Sequence, residues 1–261
     1  MNIFLKPNVS SGNLTGGKHF PMTFRSPHPI LNRKRRKFRS IKLFSKTSLM
    51  ILLILLFNPI FGSPQSRSGE EAKFLSPLEN SVVREINMAR TAPKDYASLL
   101  EQCRKYYNKK ILRLPGKTPI LTKEGVRSVV EAIRFLHSLQ PLPPLIPSEG
   151  MSLGARDHVK DQGSAGSSQH KGSDGSQPSD RVNRYGTWEN SIGENISYGS
   201  NQARDIVMGL IIDDGVPSRG HRKNIFNSNF NVIGVACGPH PTYRTVCVIT
   251  FAGGYIEKSG K

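Results

Sequence analysis

The pattern of apolar and polar positions predicts a helical first half for the folded part of the chain. Beyond residue 75, apolar residues recur at the three- and four-residue spacing of amphipathic helices. Ser76, Pro77 and Glu79 form the pattern of a capping box, in which two free helix amides find side-chain partners. Residues 108–121 lack this periodicity and are expected to be irregular. The predicted helices begin at or just after Ser76, Pro93, Thr122 and Ser148.

The second half changes to glycine-rich loops, one further helix and a β-hairpin. Gly and Ser dominate residues 163–177, so no regular element is expected there. Helical spacing returns after Asn201, the expected cap, and Gly215 is the expected left-handed stop. Two runs rich in β-branched residues, 232–237 and 243–251, flank a Gly-Pro-His-Pro turn and predict an antiparallel hairpin. This order of elements indicates an α+β domain with helices packed on an antiparallel sheet.

Most of the formal charge of +18 belongs to an N-terminal arm rather than to the folded part. Residues 1–46 contain eleven Lys and Arg and no Asp or Glu, which leaves +7 for the other 215 residues. Residues 1–48 lack apolar periodicity and are predicted to form a basic, disordered arm. A basic arm could bind nucleic acid. We rank that interpretation last because of the segment that follows the arm.

The segment after the arm favours export. Leu49 to Phe57 is an unbroken apolar run, shorter than the roughly 20 residues that a membrane-spanning helix needs. Residues 49–62 are therefore predicted to be the h-region of a signal peptide or a signal anchor. Residues 63–74 have the composition of a linker, and residues 75–257 form the predicted domain. The protein is expected to be secreted or extracytoplasmic, with a membrane tether through residues 49–61 if this segment stays uncleaved.

Two histidines and a glutamate on short polar segments are the first candidate site residues. His170 lies in the Gly/Ser-rich loop, Glu194 in a Gly-Glu-Asn-Ile segment and His221 in an Arg-Gly-His segment. Burying such side chains without partners carries a large desolvation cost, so a core has little use for them. Loop-borne histidines and carboxylates held by a rigid scaffold are the usual arrangement of a functional site.

Asp213 and Asp214 are the candidates for a second acidic position. They end a predicted helix, where each carboxylate opposes the helix dipole at a cost of about 0.3–1 kcal/mol. A local rule broken without visible compensation suggests a functional site. The alternative is that one of the two aspartates merely pairs with Arg219 or Arg222.

The remaining chemistry-bearing residues are interpreted mainly as structural. Cys103 lies on the apolar stripe of a predicted helix, where a free thiol acts as a small hydrophobe. His158 lies on a packed helix face and is expected to be a hydrogen-bonded structural histidine. Cys237 and Cys247 would face each other across the predicted hairpin, so a disulfide between them is a hypothesis for an oxidising compartment.

The order of these motifs resembles the CAP superfamily of cysteine-rich secretory proteins, antigen 5 and pathogenesis-related 1 proteins, which share the SCP domain. The resemblance rests on His170, Gly-Glu-Asn-Ile at 193–196 and Gly-His at 220–221, and it spans about residues 75–255. It implies a three-layer α-β-α sandwich with a central antiparallel sheet. It also implies a central cleft lined by two histidines and two acidic residues.

The same resemblance implies roles for individual residues. His170 and His221 match the metal-binding histidines, and the cleft acids match Glu194 and Asp213 (or Asp214). Relatives with these four positions bind divalent cations, often zinc, between the histidines, and other relatives bind sterols or fatty acids in separate grooves.

The expected function is therefore an exported module that binds zinc and a small-molecule or lipid ligand, with no nucleic-acid partner. Two neutral imidazoles suit zinc and leave open positions for water or ligand. A carboxylate such as Glu194 could orient one of the imidazoles. The alternative is a zinc-dependent hydrolase, because zinc lowers the pKa of bound water. The sequence offers no separate nucleophile, so catalytic residues stay unassigned and the binding module ranks first.

Overall fold

The computed structural model describes residues 71–258. The arm predicted over residues 1–48, the apolar segment over 49–62 and most of the linker over 63–74 lie outside the described residues. The helices and strands, in chain order, are α1 (Pro77–Thr91), α2 (Pro93–Arg104), β1 (Tyr107–Asn108), β2 (Ile111–Leu112), β3 (Ile120–Leu121), α3 (Val126–Ser138), β4 (Ile146–Pro147), α4 (Glu149–Ala165), α5 (Pro178–Val182), β5 (Gly186–Tyr198), α6 (Ala203–Ile212), α7 (Gly220–Ile225), β6 (Val232–His240) and β7 (Arg244–Glu257). Over this range, no helix has the length and apolar character needed to cross a membrane.

A four-stranded sheet lies at the centre of the domain. Its strand order is β4-β6-β7-β5. Strands β6 and β7 pair antiparallel, as do β7 and β5, whereas the two-residue β4 pairs parallel with β6. The predicted α+β class is confirmed, and the sheet is antiparallel except at its β4 edge.

Both faces of this sheet are covered by helices, so the domain has three layers. On one face, Val235 and Ile249 belong to a core that also contains residues of α1, α2, α3 and α6. On the other face, Ala236 and Val248 pack with Val159 of α4. Each fully buried aliphatic side chain stabilises the fold by roughly 1.5–3 kcal/mol, so both layers contribute to stability. The α-β-α sandwich implied by the resemblance is confirmed.

Helix α4 lies so close to the sheet that one sheet residue has no room for a side chain. A Cβ atom on Gly234 would lie 2.4 Å from the carbonyl carbon of Met151. In the same contact, the amide of Val235 donates to Ser152 Oγ at 3.2 Å. This close packing fixes α4 and therefore the start of the loop that carries His170.

Three of the four predicted helix starts in the first half are confirmed. Ser76 and Glu79 form the capping box at the start of α1. Helix α2 begins at Pro93. Ser148 Oγ accepts a hydrogen bond from the amide of Met151 and caps α4. Local side-chain chemistry therefore determines where these helices begin.

Two other predicted caps are wrong. The Thr122 hydroxyl donates to the carbonyl of Lys110, and α3 begins only after Gly125. Helix α6 follows Gln202 rather than Asn201. The Thr122 side chain cannot cap α3 because its hydroxyl is used in a tertiary contact with the preceding hairpin.

The segment expected to be irregular instead forms a small antiparallel sheet, β1-β2-β3. We call residues 104–123, from the last residue of α2 to the turn before α3, the mini-sheet. Tyr107, Leu112 and Ile120 lie opposite one another in the strand register, and all three are wholly or partly buried. The prediction failed because strands of two residues are too short to show a periodic pattern.

The predicted hairpin is present as β6 and β7, with a longer first strand. Strand β6 continues to His240, so the turn occupies residues 241–243 rather than 238–241. Cys237 and Cys247 lie opposite each other in the register and form a disulfide. Cys103 is a free, half-buried cysteine packed against the main core, and burial raises the pKa of its thiol.

Candidate functional site

His170 and His221 line the same small cavity, although 50 residues separate them in the sequence. The cavity has a volume of about 230 Å³. Its lining residues are Ser168, Gln169, His170, Ile196, Tyr198 and His221. The carboxylates of Glu194 and Asp213 do not line it, and each is hydrogen-bonded to one of the two histidines.

His221 is held by a carboxylate at the end of α6. Asp213 Oδ1 lies 2.7 Å from His221 Nδ1, and Asp213 Oδ2 accepts the backbone amides of His221 and Arg222 at 3.0 and 3.3 Å. The Asp213 side chain is 0% exposed. All of its hydrogen bonds go to the start of α7, so this short helix and its histidine are held together.

Asp213 also ends α6, in a conformation that the sequence pattern assigned to Gly215. Its φ of 56° is in the left-handed region, which Asp adopts more readily than most non-glycine residues. Strain of this kind costs about 1–3 kcal/mol and persists where the surroundings impose it. Here the hydrogen bonds to His221 and Arg222 impose it, because they require the carboxylate to turn back toward α7.

Asp214 has a different, structural role. Its carboxylate accepts the amides of Lys123 and Glu124 at 2.6 and 2.8 Å and the hydroxyl of Ser128 at 3.2 Å. Asp214 therefore satisfies backbone amides of the turn that precedes α3. Of the two aspartates proposed from the sequence, only Asp213 contacts a cleft histidine.

The alternative pairing of these aspartates with Arg219 or Arg222 does not occur. Arg219 forms ion pairs with Glu124 and Glu131 instead. Arg222 pairs with Glu131, and it also donates to the carbonyls of Ile211 and Ile212, the last residues of α6. Arg222 thus supplies donors to the free carbonyls at the helix end, where a cation suits the dipole.

His170 is held by a carboxylate from strand β5 and by an arginine from α5. Its Nδ1 lies 2.9 Å from Glu194 Oε1, and Arg181 donates to Glu194 Oε2 at 2.8 Å. Arg181 also donates to the carbonyls of His170 and Ser176 at 3.1 and 3.0 Å. The guanidinium therefore holds both the histidine's partner and the backbone of its loop.

Arg181 was not identified from the sequence. It is 2% exposed, whereas arginine is almost never fully buried unless paired. Nothing in the sequence pattern around Arg181 indicates burial. A search for a counter-charge to Glu194 could have suggested a cationic partner but not which residue supplies it.

Strand β5 connects the two halves of the cleft. Glu194 and Asn195 point to opposite faces of the sheet because side chains alternate along a strand. Asn195 donates to the carbonyl of His221 at 3.0 Å, and Asn224 donates to Asn195 Oδ1 at 2.9 Å. Adjacent residues of Gly-Glu-Asn-Ile thus position different histidines.

A buried polar network supports the loop that carries His170. Tyr198 donates to Gln162 Oε1 at 3.0 Å, and Gln162 Nε2 donates to the carbonyl of Gln169 at 2.7 Å. His158 Nε2 donates to the same carbonyl at 2.8 Å. Burial lowers the pKa of His158, which favours its neutral form. The structural role expected for His158 agrees with these contacts.

The two histidines present equivalent chemistry. Each uses Nδ1 toward a carboxylate, which only accepts, so in the neutral imidazole Nδ1 carries the proton and Nε2 keeps a lone pair. Both carboxylates already have hydrogen-bond partners. Glu194 contacts His170 and Arg181, and Asp213 contacts His221 and the α7 amides. Within residues 71–258, no group of three or more His, Cys, Asp or Glu side chains has the arrangement of a metal site. Any cation in the cleft would thus be held by two imidazoles and solvent or ligand.

Comparison with known proteins identifies a family. The model of the cysteine-rich secretory protein family (CAP) matches residues 84–251, more than half of the chain. The chain is 32% identical over 109 residues to the uncharacterized protein YkwD of Bacillus subtilis (strain 168), which is 42% of this chain and 40% of that protein. The chain thus spans less than half the length of this relative.

Two solved structures are also similar. An outer surface protein from Borrelia burgdorferi has 19% identity and a TM-score of 0.37, over 42% of this chain and 78% of that one. An extracellular SCP-domain protein from Bacillus anthracis str. Ames has 21% identity and a TM-score of 0.35, over 49% of this chain and 37% of that one. The family match includes all four cleft residues described above.

Proposed function

The chain belongs to the cysteine-rich secretory protein (CAP) family, and from that premise we propose that it is an exported binding module whose cleft holds a divalent cation, zinc foremost. The observation that carries this proposal is the pairing of both cleft histidines with carboxylates through Nδ1. Metal-binding histidines usually donate their other ring N–H to such a partner, which fixes the tautomer and raises the basicity of the metal-binding nitrogen.

Zinc suits this donor set better than calcium or magnesium. Neutral imidazole nitrogen is a preferred zinc ligand, whereas calcium and magnesium take oxygen ligands. The carboxylates are committed to His170, His221 and Arg181. Two protein ligands leave the remaining zinc positions to water or to a small ligand in the cavity, and this is the basis for a ligand-binding role.

Hydrolysis is the alternative function at the same cleft. Zinc would lower the pKa of a bound water and so supply a nucleophile. Its support is weaker, because neither carboxylate is free to act as a base and Glu194 is already paired with Arg181. A hydrolysis that a chelator abolishes and His221→Ala removes would favour this alternative.

Lipid binding is a second candidate for a separate part of the domain. A groove of about 930 Å³ runs between α2, the mini-sheet and α6, with apolar side chains such as Leu99, Leu112 and Met208 in its lining. This volume lies in the range of pockets that bind small molecules. Mass spectrometry of lipid extracted from the purified protein would test it, and Met208→Gln should reduce the amount of lipid recovered.

Zinc calorimetry tests the main proposal. The wild-type protein should bind about one equivalent, and His170→Ala combined with His221→Ala should abolish binding. His137→Ala is the matched control, because His137 is exposed on α3 and remote in sequence from the cleft segments. Zinc binding that survives the double substitution, or a wild-type protein that binds none, would refute the proposal. Export is tested separately by N-terminal sequencing of the product, which should begin after about residue 62.

A further inference from the structure

The positive charge of the described domain is concentrated in the mini-sheet. Residues 71–258 contain 24 Lys and Arg and 18 Asp and Glu. The mini-sheet contains seven of these cations and no acid, so the rest of the described domain is close to neutral, with 17 cations and 18 acids. The seven are Arg104, Lys105, Lys109, Lys110, Arg113, Lys117 and Lys123.

These cations are largely uncompensated. All seven are exposed. Within residues 71–258, the only one with a carboxylate at ion-pair distance is Lys117, whose Nζ lies 2.6 Å from Asp205 Oδ2. The surface therefore carries a local field that favours an anionic partner.

Exposed apolar side chains accompany the charge. Tyr106 and Leu121 are 42% and 61% exposed and are two of the four large apolar residues in residues 71–258 with such exposure. Leu121 lies opposite Ile111 in the register, on the face away from Tyr107 and Leu112. The mini-sheet thus presents exposed apolar side chains, at the rim of the 930 Å³ groove, among surrounding cations.

The backbone of the mini-sheet is fixed, so this surface is preformed. The amide of Val126 donates to the carbonyl of Lys109 at 3.2 Å, and both the amide and the hydroxyl of Thr122 donate to the carbonyl of Lys110. A Cβ on Gly125 would lie 2.4 Å from the Lys109 carbonyl oxygen, and φ of Gly125 is +72°. The hairpin therefore packs tightly against the start of α3.

We propose that the mini-sheet docks the domain on the surface of an anionic phospholipid membrane. Surfaces that lie at a membrane interface combine Lys and Arg, which approach the lipid phosphates, with apolar and aromatic residues that enter the acyl boundary. A soluble polyanion would attract the cations but would leave Leu121 in water. The apolar residues therefore favour the membrane over a polyanion. Neither the charge nor the apolar exposure depends on a metal in the cleft.

The charge of the mini-sheet gives an expected size for the loss of vesicle binding when its cations are removed. Each Lys or Arg near an anionic lipid surface strengthens binding about fivefold. Replacing Lys105, Lys110 and Arg113 together by Gln should weaken vesicle binding by about 100-fold at low salt. The matched control replaces Lys94, Lys160 and Lys223 by Gln, since these three are also exposed and lie outside the mini-sheet.

Lysine footprinting of the full chain provides a local test. An amine-reactive reagent is applied with and without vesicles, and the modified lysines are identified by mass spectrometry. Vesicles of equal parts phosphatidylglycerol and phosphatidylcholine should protect Lys105, Lys109 and Lys110 while Lys160 and Lys223 stay reactive. Vesicles of phosphatidylcholine alone should protect none of these five. Protection confined to the lysines of the N-terminal arm would overturn the proposal.

The apolar contribution separates a membrane from a soluble polyanion. Tyr106→Thr combined with Leu121→Thr should weaken protection by anionic vesicles severalfold, whereas Ile256→Thr, at an exposed position outside the mini-sheet, should not. If protection by vesicles is unchanged in the double variant and soluble polyphosphate protects the same lysines without vesicles, the partner is a polyanion and the membrane proposal is wrong.

Discussion

The two histidine–carboxylate pairs of the cleft share their chemistry and differ in how the chain holds them. Asp213 is fully buried beside a histidine whose side chain is 8% exposed, and its second oxygen accepts backbone amides of α7. Glu194 is almost as buried, but its histidine is 50% exposed and its second oxygen faces Arg181. One pair thus relies on a helix start and the other on a buried guanidinium.

The two pairs also differ in how far apart their members lie in the sequence. Asp213 and His221 are eight positions apart, and the turn between them brings the two together. His170 and Glu194 are 24 residues apart, and they meet only where α5 brings Arg181 against both. We therefore expect the His221 half to be the more rigid and the His170 half to depend on one residue that does not line the cavity.

Substituting Arg181 should have the largest effect. Arg181→Met leaves the buried Glu194 without its cationic partner, which costs about 3–5 kcal/mol in the free energy of unfolding. It should also weaken zinc binding by about 10–100-fold through loss of support for His170. Urea unfolding and zinc calorimetry measure the two effects.

The matched control for this variant is Arg184→Met. Arg184 pairs with Asp157 and Asp174 at the surface, and such pairs contribute about 0–1 kcal/mol. Equal effects of the two substitutions would mean that Arg181 has no special role in holding His170.

Asp213→Asn should have a smaller effect, of about 1–3 kcal/mol, because the amide group replaces an acceptor by a donor opposite the amides of α7. The left-handed backbone at this position is tolerated by Asn, so the variant isolates the hydrogen bonds. Zinc affinity should fall as His221 loses its partner. Asp214→Ala should cost a similar amount, about 1–3 kcal/mol, because the amides of Lys123 and Glu124 lose their acceptor, but it should leave zinc affinity unchanged. A loss of zinc affinity in Asp214→Ala would contradict the division of roles between the two aspartates.

Acid should weaken the support of the His221 half in a defined pH range. Arg219 donates to the Asp213 carbonyl and to both oxygens of Glu124, and its guanidinium lowers the pKa of Glu124 from 4.5 to about 2. Because this folded-state pKa lies below the ordinary value, the stabilisation is fully present above the ordinary value and is lost as pH falls through about 2. The difference in free energy of unfolding between wild type and Glu124→Gln should be constant above about pH 5 and disappear near pH 2.

Chemical denaturation across this pH range measures the difference. Glu101→Gln is the control, since it removes an exposed carboxyl of α2 for which no ion pair is present within residues 71–258. A wild-type advantage over Glu124→Gln that persists undiminished at about pH 2 would show that the ion pair does not support this turn.

The sequence predicted the parts of the molecule that local chemistry determines. The capping box at Ser76 and the cost of placing carboxylates at the end of α6 are both local signals. Those signals pointed to Asp213 and Asp214 together. They could not separate the two roles, because the amides that donate to Asp214 lie about 90 residues away in the chain.

Residues whose roles depend on distant partners were the ones missed. Arg181 looks like an ordinary helix residue until burial and Glu194 are known. Thr122 has the side chain of a helix cap, but the Lys110 carbonyl takes its hydroxyl. The mini-sheet was missed because its strands have two residues each, too few for a period. For Arg181 and Thr122 a tertiary contact decides the role, whereas the mini-sheet has no periodic pattern that could reveal it.

The central claim is that His170 and His221 present Nε2 lone pairs to one cation. Long-range proton–nitrogen NMR of the imidazole rings tests it, first without metal and then with zinc. Both rings should carry the proton on Nδ1 in the metal-free protein, and zinc should shift Nε2 of both rings at the same stoichiometry. A ring protonated on Nε2, or zinc that shifts only one ring or neither, would contradict the claim.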